Sequence, residues 1–335
     1  PDAYSTNRYI RLKEHKPSFS GFLIPSEYNI RDADSLIKKK YMFRTDENSF
    51  IMPSRIYDKP DLTIVFLGGS TTECKYVDEE NRFPYLAGRF IEKETGLKVN
   101  SYNSGVAASD SLHSIDILLN KIIPMKPDIA VMAHNINDLT ILLFEGTYWH
   151  ENPTRSPIVI LDLKPSLRGI LKQVKDLMFP NLYSALYVAF HPKTEPDEFR
   201  HIRGRKIHID KTYLTKEFGS NLQIFIDICK AKNITPVLMT QSNRFKNNPD
   251  PIIIGSMRKL KDEHGIAYEA YKEIYDLFNE AIREVGARNN ILVIDLDKEV
   301  PKEKAYMYDV VHFNDTGSRL AAEIISRDLK PLIKR

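Results

Sequence analysis

Three residues of this chain have types that do chemistry together: Ser70, which follows two glycines at the end of an apolar run, and Asp309 and His312, three residues apart near the C-terminus. A serine hydroxyl is a poor nucleophile near neutral pH. It becomes a useful one when a histidine takes its proton and a carboxylate holds that histidine in the right tautomer. The reaction such a set performs is acyl transfer, and its tetrahedral intermediate needs hydrogen-bond donors aimed at the oxyanion. The backbone N–H of Ser70, the backbone N–H of Gly105 and the side-chain amide of Asn137 are the candidates. Taken singly, each has an ordinary reading as a turn, a cap or an incidental pair. Their order along the chain is the informative feature.

Elements of a particular kind must bring these residues together. Thr63-Ile64-Val65-Phe66-Leu67 is too short for a helix, rich in β-branched residues and closed by Gly68-Gly69, which predicts a buried strand ending at Ser70. Further strands are expected at Lys98–Tyr102, Ile129–Ala133, Thr235–Thr240 and Ile291–Ile294, separated by segments of helical period. That alternation predicts an α/β fold with a doubly wound, five-stranded parallel sheet. Ligands bind such sheets beyond the carboxyl ends of the strands. The segments placed there are polar and small: Gly68 to Thr72, Asn103 to Gly105, His134 to Asp138 and Gln241 to Arg244. Asn135, Gln241 and Asn243 are therefore expected to contact substrate, while His134 and Cys74 read as structural.

At 335 residues the chain suits one main domain with an extension or insertion. Residues 1–58, with few sustained periodicities, read as an arm packing on a main domain of residues 59–335. No chemistry is legible in that arm. An insertion spans about 140–211 and includes Trp149 and the amphipathic stretches Ile170–Met178 and Leu182–Phe190; a lid and a peripheral subdomain are both open readings. The net charge of +3, from 48 basic and 45 acidic residues spread along the chain, argues against nucleic acid as a partner. Cys74 and Cys229 show no redox or metal spacing, and the histidines show no His-Glu-x-x-His pattern, so neither metal nor cofactor is expected. No apolar run is long enough to span a bilayer, and the start at Pro1 leaves room for a removed signal peptide or anchor.

The blocks Gly68-Gly69-Ser70-Thr71, Asn103-Ser104-Gly105, Asn135-Ile136-Asn137-Asp138 and Asp309-Val310-Val311-His312 resemble, in order, the four sequence blocks of the SGNH (GDSL-like) hydrolase superfamily. The resemblance covers about residues 60 to 330, leaving the N-terminal arm and the insertion uncovered. It implies a flavodoxin-like three-layer α/β/α fold, with Ser70 as nucleophile, His312 as base, Asp309 as its partner, and Ser70, Gly105 and Asn137 as oxyanion donors. Two departures stand out: Gly69 replaces the usual aspartate before the serine, and Asn135 replaces the usual glycine of the third block. Neither removes a catalytic group. The nucleophile elbow of ordinary α/β-hydrolases would need glycine where Thr72 stands. The resemblance points to an esterase that removes acetyl or other short acyl groups from a carbohydrate or cell-envelope polymer, in an extracytoplasmic or membrane-anchored setting rather than the cytoplasm. Transfer to a sugar hydroxyl, a lipid esterase or thioesterase, and a silent glycan-binding protein are the alternatives.

Overall fold

Short β-branched runs closed by turn residues leave the chain few ways to bury its apolar surface, and a computed structural model describes the outcome for residues 6–162 and 198–333. The strands in chain order are β1 (Thr6–Ile10), β2 (Ser20–Leu23), β3 (Tyr41–Arg44), β4 (Leu62–Gly68), β5 (Val99–Asn103), β6 (Ile129–Ala133), β7 (Ile158–Asp162), β8 (Thr235–Met239) and β9 (Val293–Ile294). The helices are α1 (Glu27–Arg31), α2 (Ser70–Glu73), α3 (Phe83–Thr95), α4 (Ser111–Ile117), α5 (Ile136–Phe144), α6 (Lys211–Ala231), α7 (Pro251–His264), α8 (Tyr268–Asn289), α9 (Leu296–Glu299) and α10 (Asp315–Leu329). None of the described helices is long and apolar enough to cross a membrane.

Two compact units divide the chain. One comprises Pro1–Arg11 with Trp149–Arg203, the other Leu12–Tyr148 with Gly204–Arg335. In the first, β1 pairs antiparallel with β7 from Thr6↔Asp162 to Ile10↔Ile158. Thus the apolar stretch Ile158–Leu161 forms part of a strand. The Arg155 guanidinium meets Glu198 at 2.7 Å in the same unit. The stretches Ile170–Met178 and Leu182–Phe190 lie outside the described residues.

The second unit holds the parallel sheet, in the order β5-β4-β6-β8-β9. Its strands coincide with the five expected from sequence to within two residues at each end. Ile64 to Leu67 of β4 are buried because helices cover both faces of the sheet. On one face α3 and α10 pack together, and Phe83 meets Phe66 edge-on at 5.8 Å and Phe313 at 6.2 Å. On the other, Phe218 of α6 stacks on Phe278 of α8 at 4.6 Å. The chain leaves β4 for β5 on one side and returns to β6 on the other. The switch point of the sheet therefore opens between the carboxyl ends of β4 and β6.

Residues 12–58 belong to this second unit. There β2 and β3 pair antiparallel, Ile51 bridges to Asn103 at the end of β5, and the Arg44 guanidinium meets Glu79 at 2.6 Å.

Candidate active site

Ser70 leaves the end of β4 through two glycines that close approach makes necessary. A Cβ on Gly68 would stand 2.8 Å from the Ala133 carbonyl, and one on Gly69 would stand 2.2 Å from Asn137 Nδ2. The replacement of aspartate by Gly69 thus lets the Asn137 amide lie directly against the turn before Ser70. The helix that follows has only four residues and ends at Cys74 in the left-handed region, φ 53°. So short a helix contributes its backbone donors rather than a developed dipole. The Ser70 N–H makes no hydrogen bond among the described residues. Cys74 is buried, its thiol is pushed up to about 12 by burial, and its Sγ donates to the Thr71 carbonyl at 3.3 Å.

Asp309 and His312 share one turn of the loop before α10. Asp309 Oδ1 accepts from the backbone N–H of Val311 at 2.9 Å and of His312 at 2.8 Å, while Oδ2 lies 2.7 Å from His312 Nδ1. Burial works against its charge, yet the neighbouring His312 and the two amide donors prevail and hold its pKa below the ordinary aspartate value. An ionised carboxylate only accepts, so His312 Nδ1 carries the hydrogen and Nε2 presents its lone pair to Ser70 Oγ, 2.8 Å away. Burial also opposes charge on the imidazole, but Asp309 outweighs it and raises the His312 pKa above 6.5.

The neighbours of this loop fix its geometry. Tyr308 stacks parallel to the His312 ring at 5.5 Å, and its N–H donates to the His312 carbonyl at 2.9 Å. From the segment after β8, the Arg244 N–H donates to the Val310 carbonyl at 2.8 Å. Its fully buried guanidinium binds Asp34 at 2.6 Å and Asp250 at 2.7 Å and donates to the Met307 carbonyl at 3.3 Å.

With the serine at the end of the first strand of a 2-1-3-4-5 parallel sheet, and the aspartate and histidine ahead of the last long helix, the deciding arrangement is present. It resembles that of the SGNH hydrolases. No family model matches the chain, and no curated protein does. Solved structures similar to it include an α/β hydrolase from the metagenome of Lake Arreo, 13% identical, covering 84% of this chain and 100% of its own at a TM-score of 0.48. A lipase/acylhydrolase from Enterococcus faecalis is 19% identical over 82% of this chain and 97% of its own, TM-score 0.47. An acetylxylan esterase from Geobacillus stearothermophilus is 14% identical over 80% and 94%, TM-score 0.46. At such scores these structures add nothing to the argument from the site itself.

Of the oxyanion donors expected from the sequence, Asn137 gives one amide hydrogen to the Ser109 carbonyl at 2.8 Å and has a second one free among the described residues. Behind it the buried Asp138, pushed up to about 7 chiefly by burial, ties the loops together by accepting from the Ser111 N–H at 3.0 Å and the Tyr148 hydroxyl at 2.7 Å. Gly105 packs so closely on α2 that a Cβ would stand 2.4 Å from the Glu73 nitrogen. Its own N–H donates to Asn103 Oδ1 at 2.9 Å, so Gly105 can serve an oxyanion only by giving up that bond.

The expected substrate contacts need correction. Asn135 is buried, with its amide donating to the Tyr275 carbonyl and to Asn279 Oδ1, both at 3.0 Å. Gln241 accepts from the Ile136 N–H at 2.9 Å and donates to Thr71 Oγ1 at 2.7 Å. Asn243 is fully buried, donating to Asp297 at 2.8 Å and accepting from Lys302 at 3.0 Å. All three tie the loops together rather than face the cavity. His134 is structural, as expected: it is buried, its pKa is lowered to about 4 by burial, and its Nε2 lies 2.7 Å from Ser114 Oγ.

A cavity of about 420 Å³ has Ser70, His312, Glu73, Lys75, Tyr76 and Tyr308 in its wall. Glu73 lies three residues after Ser70, a helical spacing that would have flagged it in the sequence, whereas Lys75 lies past the end of α2 and has no such signal. His15 has no such signal; it reaches the site from the N-terminal segment, its Nε2 lying 3.3 Å from Glu73 Oε1. Among the described residues no cluster of three or more His, Cys, Asp or Glu side chains could hold a metal ion, and both cysteines are free.

Proposed function

We propose that the chain is a serine ester hydrolase that removes acetyl or another short acyl group from a hydroxylated carrier such as a carbohydrate or cell-envelope polymer. The observation that carries this reading is the unbroken hydrogen-bonded line from Ser70 Oγ through His312 to Asp309, at 2.8 Å and 2.7 Å, in the wall of an open cavity. Ser70 Oγ attacks the ester carbonyl as its proton passes to His312 Nε2, and Asp309 stabilises the imidazolium. The oxyanion is met by the Ser70 N–H and the free amide hydrogen of Asn137. Collapse expels the alcohol, which takes the proton from His312. Water then repeats the sequence on the acyl-enzyme, returning the acid and free Ser70. A sugar hydroxyl in place of water would give transfer with the same groups.

The test is hydrolysis of p-nitrophenyl esters of increasing chain length. Acetate is expected to have the highest kcat/KM, and a maximum at long chains would overturn the short-acyl assignment in favour of a lipid substrate. Asn137→Ala is expected to lower kcat by about 10²- to 10³-fold, as for other single oxyanion donors, with a smaller change in KM. An unaltered kcat would remove Asn137 from the oxyanion site.

A further inference from the structure

Glu73 lies in the cavity wall, and the reaction above gives it no role. It stands three residues after Ser70 on α2, and its side chain is only 5% exposed. His15 Nε2 lies 3.3 Å from Glu73 Oε1 and 3.2 Å from the Gly105 carbonyl. A carbonyl only accepts, so Nε2 carries its hydrogen and donates it to Gly105, leaving Glu73 Oε1 a near neighbour of the ring rather than its hydrogen-bond partner. The other oxygen, Oε2, is buried and has no hydrogen-bond partner among the described residues.

Leaving a buried carboxylate oxygen unmatched is costly, and proteins rarely do so without a use for it. Here the unmatched oxygen belongs to a residue in the wall of the cavity that also holds Ser70 Oγ and His312. Side chains three residues apart on a helix have Cβ atoms about 5–6 Å apart. A donor bound at Glu73 would therefore sit a few bonds from the carbonyl that Ser70 attacks. We infer that Glu73 is a specificity-determining residue that accepts a hydrogen bond from a hydroxyl neighbouring the scissile ester, so that the site selects esters of polyols such as sugars over esters of simple alcohols.

This inference rests on the ester-hydrolase reading of Ser70. The setting of the carboxyl supports it independently of that reading. Burial pushes its pKa up to about 7, against the pull of Lys75, His312, Arg82 and the Ala107 amide. Above that pH the group is a carboxylate, a substrate hydroxyl would supply Oε2 with a donor, and a hydrogen bond to an ionised acceptor is stronger than one to a neutral acceptor.

The experiment compares two esters: a methyl 2-O-acetyl-glucoside with its other hydroxyls free, and the same compound with those hydroxyls methylated. The quantity read is the ratio of their kcat/KM values in the unmodified protein and in Glu73→Gln, which keeps size while removing charge. The unmodified protein is expected to prefer the free-hydroxyl ester, and the ratio to fall by about 10- to 100-fold in the variant, the range for a hydrogen bond to a charged group. An unchanged ratio overturns the inference whatever the absolute rates do, because damage to the fold would slow both esters alike. If neither ester shows Ser70-dependent turnover, the hydrolase reading is what fails. The inference is then read by calorimetric titration of both sugars into Ser70→Ala and Ser70→Ala/Glu73→Gln. A preference for the free-hydroxyl sugar that disappears with Glu73 upholds it, and equal affinities or no binding of either sugar overturn it.

Discussion

Ser70→Ala is expected to lower kcat for p-nitrophenyl acetate by about 10⁵- to 10⁶-fold, the scale seen when the nucleophile of a serine hydrolase is removed. No other hydroxyl stands within hydrogen-bond distance of His312 Nε2 among the described residues, so the imidazole would lose its only proton donor. The fold should survive. Ser70 opens a short helix in which alanine is well tolerated, and its Oγ makes a hydrogen bond only to His312 among the described residues. The thermal midpoint should therefore stay within the few degrees that correspond to about 1 kcal/mol. The paired measurement is kcat beside the melting curve. A folded variant that retains its rate would displace Ser70 as nucleophile.

Asp309→Asn is expected to cost about 10⁴-fold in kcat through the tautomer of His312. Two backbone N–H groups already point at Oδ1, so the asparagine keeps its carbonyl oxygen there and turns its NH₂ toward Nδ1. Nδ1 must then accept, the ring hydrogen moves to Nε2, and the lone pair that takes the Ser70 proton is lost. The pH profile supplies a second readout. In the unmodified protein the base works only when neutral, and its pKa is raised above 6.5, so kcat/KM should fall on the acid side at a pH above that value. Removing the carboxylate leaves burial as the largest influence on the imidazole, which lowers its pKa and moves the acid limb to lower pH. A profile that keeps both its height and its limb would exclude Asp309 as the partner of His312.

Much of the positioning is legible in the sequence. The strand at Ile129–Ala133 has the boundaries expected, and β4 extends the expected Thr63–Leu67 by one residue at each end, because short β-branched runs closed by glycine or polar residues have few other solutions. The grouping of Ser70, Asp309 and His312 was legible because each block lies beside a strand end or just ahead of a helix. The roles of the remaining polar residues were hidden for a physical reason. Asn135, Gln241 and Asn243 follow strands, but polarity at a strand end does not say whether a side chain faces the ligand or another loop, and here all three serve neighbouring loops. The N–H of Gly105 was hidden in the same way, since its capture by Asn103 is a matter of one turn's conformation. His15 lay beyond reach for another reason: its partner at Gly105 is 90 residues away, and no local periodicity encodes that pairing.

The buried Arg244 has one more consequence. Its ion pair with Asp34 joins residues 210 apart in sequence, and the Asp34 N–H also donates to the Tyr308 carbonyl at 3.0 Å, next to Asp309. Inheritance should treat the two segments as one. Were the N-terminal stretch exchanged for that of a distant relative, the guanidinium would keep Asp250 but lose the acid facing its other edge, and the backbone carrying the base would lose a tether. Asp34 and Arg244 are thus expected to change together or not at all, although neither would ever meet a substrate.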